Sequence, residues 1–288
     1  MTMAILYFIM TKSSDGGRSM KQYFEIVDVL ARKTADLNGA PALEAEITLD
    51  DGTVGRAAVP AALFEESTGG KKVGLAVENI NTEIQEALLG LNALDQTAID
   101  NMLLEIDGTK DCSRLGTGAV LGASLAVAKA AAEASGVGLY NYIGGVNAKT
   151  LPVPVVLCES GAVVPAEADD WNEAMELCLD YDDRNEAFAS VSDEEKEETA
   201  FIVPSDYPTL TGILDAVSVA LRSGCAAAID ASKDCTDETF TADLSVAINA
   251  PFYYAGEMKG PALVKYNQLL RISEELFDAA VYAGSKLK

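Results

Sequence analysis

The sequence predicts two kinds of unit in series. The first is an α+β module in which antiparallel strands are followed by helices, and the second is an α/β module in which strands alternate with helices. Three observations carry this. Residues 24–60 alternate apolar and polar side chains in two runs on either side of Asp51-Gly52, as a hairpin does. Residues 73–136 then switch to helical spacing. From Phe201 onward short apolar runs alternate with helix-length segments, which is the signature of βαβ units and a parallel sheet.

Each element has a local reason. FEIVDVLAR and ALEAEITLDDGTVGRAAVP have the period of two that places every second side chain on one face. Val73, Ala76, Val77, Ile80, Ile84 and Leu88 mark one stripe of a helix over 73–89. A second helix begins at a cap on Asn92 or Asp95 and runs to about Ile106. LGTGAVLGASLAVAKAAAEASG is alanine- and glycine-rich on nearly every face, so it is expected to be a helix enclosed by other elements. Trp171, Met175, Leu177 and Leu179 keep helical spacing within an acidic stretch, and SVSDEEKEET suits a solvated linker. Further on come the strand FIV, a helix over 209–223, the strand Cys225–Ile229, a helix around Asp243 with Leu244, Ala247 and Ile248 on its buried face, and a last helix from Pro261 to about Ala280.

Composition narrows the chemistry. Acidic residues outnumber basic ones 45 to 21, for a formal charge of −24. Such a surface gains nothing from counterion release, which argues against nucleic acid and anionic membrane and favours basic protein surfaces as partners. The five cysteines form no C-x-x-C pair, so neither a disulfide framework nor a zinc site is indicated, and reduced thiols in a cytoplasmic setting fit. The run AILYFIM is too short to span a bilayer and lacks a basic flank and a cleavage site, so residues 1–23 are expected to be an extension. The chain contains no histidine, which excludes Ser-His and Cys-His pairs, imidazole bases and histidine metal ligands.

The words VGRAAVP, GLAVENINTEI, LNALDQTAID, LLEIDGTKDCSRLG, LGASLAVAKAAAEASGVGLYNYIGGVNAKTLPVPV and VKYNQLLRISEELFDAAVYAG together resemble enolase. The likeness is nearly continuous over about residues 24–157 and returns from Lys265. It implies an N-terminal α+β domain over 24–150, a C-terminal eight-stranded α/β barrel over 151–288, Mg2+, dehydration of 2-phosphoglycerate, and a dimer. A (β/α)8 barrel needs at least about 200 residues. Residues 151–288 are too few, so a truncated, incomplete barrel of three to five strands is expected.

The family's site residues do not carry over. Its mobile Ser-Gly-Ala-Ser-Thr-Gly loop is shortened to AALFEESTGGKKVG, with Ser67 as a remnant. Glu159 stands in Cys158-Glu159-Ser160-Gly161, where the family has an Asn-Gly-Gly turn followed by histidine, and an acidic helix is expected directly afterwards. The general-acid segment and the metal-binding carboxylates find no counterpart, so neither a catalytic nor a metal-binding residue is assigned. Val203 takes the place of the base lysine. Asp230, Ala231 and Ser232 open the loop that holds phosphate in the family, and Tyr254 replaces a substrate lysine. Asp36-Leu37-Asn38-Gly39-Ala40-Pro41 lacks the arginine of the family's dimer motif, which argues against the family homodimer; Arg32, Glu44 and Glu46 lie in that neighbourhood. Lys149 and Lys265 are retained with structural roles.

Removing a proton alpha to a carboxylate requires a positioned base and concentrated positive charge. The resemblance therefore implies a catalytically inactive enolase-like protein that binds no cofactor and acts as a structural or interaction subunit in a larger assembly, with a cytoskeletal or ciliary one as a candidate. The alternative is a weak or repurposed Mg2+-dependent enolase. For that alternative, Asp230, Asp234, Asp237 and Glu238 are the acidic cluster able to attract a divalent cation. The competing expectation is that Asp237 and Glu238 decorate a first helical turn, and that Cys235 is an unreactive thiol among acids.

Overall fold

The computed structural model describes residues 23–60, 69–158, 161–165, 168–179, 188–190 and 198–286. The first unit is the expected meander: β1 (Ile26–Ala35), β2 (Pro41–Leu49) and β3 (Val54–Val59) form an antiparallel sheet in that order, with the β2–β3 hairpin at Asp51-Gly52. Helix α1 (Gly69–Asn79) runs through a π-helical turn at Ile80–Ile84 into α2 (Gln85–Leu88). Its stripe of Val73, Ala76, Ile80, Ile84 and Leu88 is buried as the spacing required. Asp95 caps α3 (Gln96–Asp107) by accepting from Ala98 N.

Helix α4 (Thr117–Ser135) is the axis of the molecule. It packs on β2 and β3 on one side and on α3 on the other, and its residues are buried nearly all round. Its alanines and glycines permit this close approach. A side chain at Gly55 on β3 would collide with the backbone of Ala126 and Ala130. Helix α5 (Leu139–Gly144) follows.

The second unit starts with the short β4 (Thr150–Leu151) and continues into β5 (Val153–Cys158). Next come β6 (Gly161–Pro165), α6 (Trp171–Leu179), β7 (Phe188–Ser190), β8 (Thr199–Ile202), α7 (Leu210–Arg222), β9 (Ala226–Asp230), α8 (Phe240–Ala247), β10 (Phe252–Gly256), α9 (Pro261–Leu276) and β11 (Val281–Tyr282). One sheet has the order β7-β6-β5-β10-β9-β8; strands β5, β10, β9 and β8 are parallel, and β6 and β7 are antiparallel additions. The described residues form no closed barrel.

Four of the six strands run parallel in barrel fashion, within the three to five expected; other expectations need correction. The acidic segment forms strand β6 before any helix, because Gly161–Pro165 is apolar enough to extend β5 as a hairpin, and FYYAG forms β10 from aromatic, strand-favouring residues that escaped the period-two test. Nor is α8 amphipathic: all eight of its residues are buried, because α5 and α9 cover the faces that the sheet leaves open. Among the described residues no single helix is long and apolar enough to cross a membrane.

Both units share one continuous apolar core. The α8 residue Asp243, only 3% exposed, lies at this junction and accepts hydrogen bonds from Gln268. Burial pushes its carboxyl up from 3.8 to about 6, against the Gln268 bonds and the nearby Lys129. A carboxyl whose folded pKa is raised favours folding in its protonated form. Its contribution is therefore complete below about pH 4 and is lost as pH rises through about 6. A rise of that size corresponds to about 3 kcal/mol. Asp243→Asn should accordingly be more stable than wild type in urea unfolding at pH 8, by about 2 kcal/mol after allowing for an imperfect amide geometry, and the difference should vanish at pH 4. Equal differences at both pH values would show that the residue acts by shape alone.

Candidate functional site

The candidate site lies at the carboxyl ends of β8, β9 and β10, the end of a parallel sheet where ligands gather. Val203 follows β8 and leads into a short turn at Pro204–Asp206; it is half-buried and carries no titratable group. Asp230 ends β9 and Tyr254 stands beside it on β10 in register, so both side chains share one face of the sheet. Burial, then the charges of Asp230 and Glu257, push the Tyr254 phenol above its ordinary value.

The loop after β9 is held by its own side chains. Asp230 Oδ1 accepts from Ser232 N at 2.9 Å and from Ser232 Oγ at 2.5 Å. Asp234 Oδ1 accepts in the same way from Thr236 N at 3.0 Å and Thr236 Oγ1 at 2.7 Å. These are the local turns that aspartate makes with the backbone two residues on. Ala231 is buried, with its N–H donating to Tyr254 O. Cys235 O accepts from Leu37 N, which ties the loop to the first hairpin. Burial first, then Asp36 and Asp234, push the Cys235 thiol up, in keeping with an unreactive thiol.

Lysines approach this region, and Lys265, Lys233 and Lys129 are each engaged. Lys265 is wholly buried; its Nζ donates to Thr236 O at 3.1 Å and lies 3.4 Å from Asp234 Oδ2. Burial nevertheless pushes the Asp234 carboxyl up, with Lys265 opposing. The structural role expected of Lys265 fits this seat. Lys233 is exposed and pairs with Asp206 at 3.3 Å. Lys129, from α4, is paired with Glu238.

Glu238 meets the start of α8, as expected of an acid at a first helical turn, but it does so from a buried position. It is 6% exposed and precedes α8 by two residues. One oxygen accepts from Lys129, Thr239 N and Phe240 N, and the other from Ala58 N at 3.0 Å, so it joins the two units. Burial would raise its pKa, but the charge and hydrogen bond of Lys129 and the bonds from Ala58 and Thr239 outweigh it and hold the carboxyl below its ordinary 4.5.

A cavity of about 30 Å³ between Pro60, Leu125, Asp230, Lys233, Glu238 and Thr241 has room for little more than a water or two. Small-molecule pockets typically measure about 300–1,000 Å³. A wider groove of about 540 Å³ runs past Asn38, Ser232, Cys235, Tyr254, Glu257 and Lys259. Of its carboxylates, Glu257 pairs with Lys259 and Asp234 faces Lys265. Among the described residues no three carboxylate, cysteine or histidine groups are placed to hold one metal ion. Asp230 and Asp234 turn an oxygen onto their own loop and Asp234 faces Lys265, so the donors described here do not fit Mg2+. Ser67 and Glu159 lie outside the described residues.

The structure thus gathers Val203, Asp230, Ala231, Ser232 and Tyr254 at one end of the sheet. Sequence reasoning passed over Lys129 and Asp100, although both carried a signal. Lys129 is the sole basic residue in an alanine-rich helix meant to be enclosed, and Asp100 sits beside the buried Ile99 and Leu103. Arg32, Glu44 and Glu46 pair with one another across the first sheet, with Arg56 joining Glu46.

Two family models match the chain. One is the enolase N-terminal domain, over residues 26–143, and the other is the enolase C-terminal TIM barrel domain, over residues 191–288.

Proposed function

The chain belongs to the enolase family, and from that premise we propose that it is a catalytically inactive member serving as an interaction subunit of a larger protein assembly. The observation that carries this reading is the substitution of charge at the strand ends. Val203, Ser232 and Tyr254 stand where the family resemblance puts a base lysine, a phosphate-binding arginine and a substrate lysine. The enolate-type intermediate of this chemistry requires a base together with cationic stabilisation. Removing even one preorganised stabilising group costs about 10²–10³ in rate. The buried Lys265 is engaged by Asp234 and Thr236 O and has no exposed surface from which to meet a substrate.

The setting that fits is a cytoplasmic assembly, of which a cytoskeletal or ciliary one is an instance, with partners that present basic surfaces to a chain of charge −24. Purified protein assayed with 2-phosphoglycerate and saturating Mg2+ should show no turnover above buffer. Turnover that tracks the protein through purification and is abolished by EDTA would overturn the proposal.

A further inference from the structure

We propose that Phe277, at the end of α9, is an aromatic anchor that docks into an apolar pocket with a basic rim on another protein. This inference deepens the interaction-subunit reading and rests on it. Phe277 has φ 45° and ψ −125°, a conformation that glycine supplies and that a bulky residue adopts only under strain. Burial does not offset that strain, since the residue is 77% exposed. Backbone strain of this kind collects where a ligand or partner is held.

The surroundings of the ring define the pocket it fits. Val146 is 92% exposed, and it and Phe277 are the two most exposed large apolar residues among those described. Strands β4 and β11 pair in parallel, Thr150 with Val281. The turns at Gly145–Asn147 and Phe277–Ala279 lead into these strands from the same end, so Val146 and Phe277 stand at one end of the pair. A single exposed apolar residue is ordinary. An aromatic ring held out by a strained backbone is different: it is a rigid group that enters a pocket at low entropic cost, as interface anchors do.

Charge selects the rim of that pocket. Glu274, Glu275 and Asp278 are all exposed within three residues of Phe277, and the last turn of α9 holds no basic residue. Acids at the negative end of a helix dipole are unfavourable where they stand. Among the described residues Glu274 and Asp278 form no ion pair, while Glu275 meets the Tyr140 hydroxyl. Against these acids stands Lys149, the exposed base that precedes β4. Basic groups around the partner's pocket complement both the acids and the helix end. A second copy of this chain brings its own charge of −24, which disfavours it as the occupant.

The test uses the full chain and two cup-shaped probes, β-cyclodextrins whose apolar cavity is rimmed by amines in one and by carboxylates in the other. The amine probe should bind at least tenfold more tightly, with an affinity that falls as salt rises. Phe277→Gly leaves every charge in place, so it separates the ring from general attraction. It should weaken binding of the amine probe at least tenfold while raising the melting temperature by about 2–4 °C. Phe277→Ala keeps the strained backbone and should lose binding without that rise. Leu221→Ser, on α7, should leave binding unchanged. Equal binding of both probes, no binding of either, or binding that survives Phe277→Gly would overturn the assignment. So would a melting temperature that falls with glycine, because the ring would then be packing within the chain. Self-association in sedimentation that Phe277→Gly abolishes would assign the anchor to a second copy instead. The same preparation is assayed for turnover: failure at Phe277 without turnover removes only the anchor, whereas turnover removes the reading beneath it.

Discussion

Asp100→Ala is expected to destabilise the protein by about 3 kcal/mol or more, the largest loss for any single polar side chain in the first unit. Asp100 is wholly buried on α3. Oδ1 accepts from Gln96 Nε2 at 2.9 Å and Ser124 Oγ at 2.6 Å; Oδ2 accepts from Thr211 N at 2.9 Å and Thr211 Oγ1 at 2.8 Å. Ser124 Oγ in turn accepts from Leu210 N. The carboxylate of one unit thereby caps the first turn of α7 in the other, where its charge also meets the positive end of the helix dipole. Alanine would leave the Thr211 N–H buried without a partner and loosen Ser124, and each orphaned buried donor costs about 1–3 kcal/mol. In a chain of this size the melting temperature should fall by about 5 °C. Asp100→Asn retains one acceptor and should cost roughly half as much. Thermal unfolding followed by circular dichroism checks both values. A loss below about 1 kcal/mol for alanine would mean that water replaces the carboxylate and that the junction is looser than its geometry.

How far the sequence exposes this architecture depends on the length of the pattern. The hairpin at Asp51-Gly52, the stripe from Val73 to Leu88 and the enclosed α4 were legible because each repeats its period several times. Strands β6 and β10 were not. Five residues give a period-two test almost no power, and Tyr253 and Tyr254 on β10 are both at least half-buried, so no alternation exists to find. The candidate site divides in the same way. The replacements at Val203, Ser232 and Tyr254 follow from a resemblance along the chain. The contacts Ala58–Glu238 and Asp100–Thr211, by contrast, join residues more than a hundred positions apart. Local spacing contains no information about such pairs. What it could offer was an ionisable residue beside an apolar stripe, at Asp100 and Lys129, because such a residue demands a buried partner.

Glu238→Ala is the companion experiment at the other seam, with an expected cost of about 3–5 kcal/mol. Removing the carboxylate leaves the N–H groups of Ala58, Thr239 and Phe240 without their acceptor and strips Lys129 of its counter-ion. Glu238→Gln keeps the size and one acceptor oxygen, so it should cost about 1–3 kcal/mol, mostly through the lost ion pair. In a double-mutant cycle, Lys129→Met with Glu238→Gln should be less damaging than the two single changes added together, because neither partner is then left charged and alone. The pH dependence separates charge from shape. Because the folded protein holds Glu238 below its ordinary 4.5, its contribution is present above that pH and is lost as the solution becomes more acidic. This is opposite in sign to Asp243, whose contribution is lost as pH rises through about 6. The wild-type stability curve should therefore have an acid limb that Glu238→Gln flattens and a falling limb between about pH 4 and about pH 6 that Asp243→Asn flattens. If Glu238→Gln left the acid limb unchanged, the stability at this seam would come from the backbone bonds alone, and Lys129 would be a spectator there.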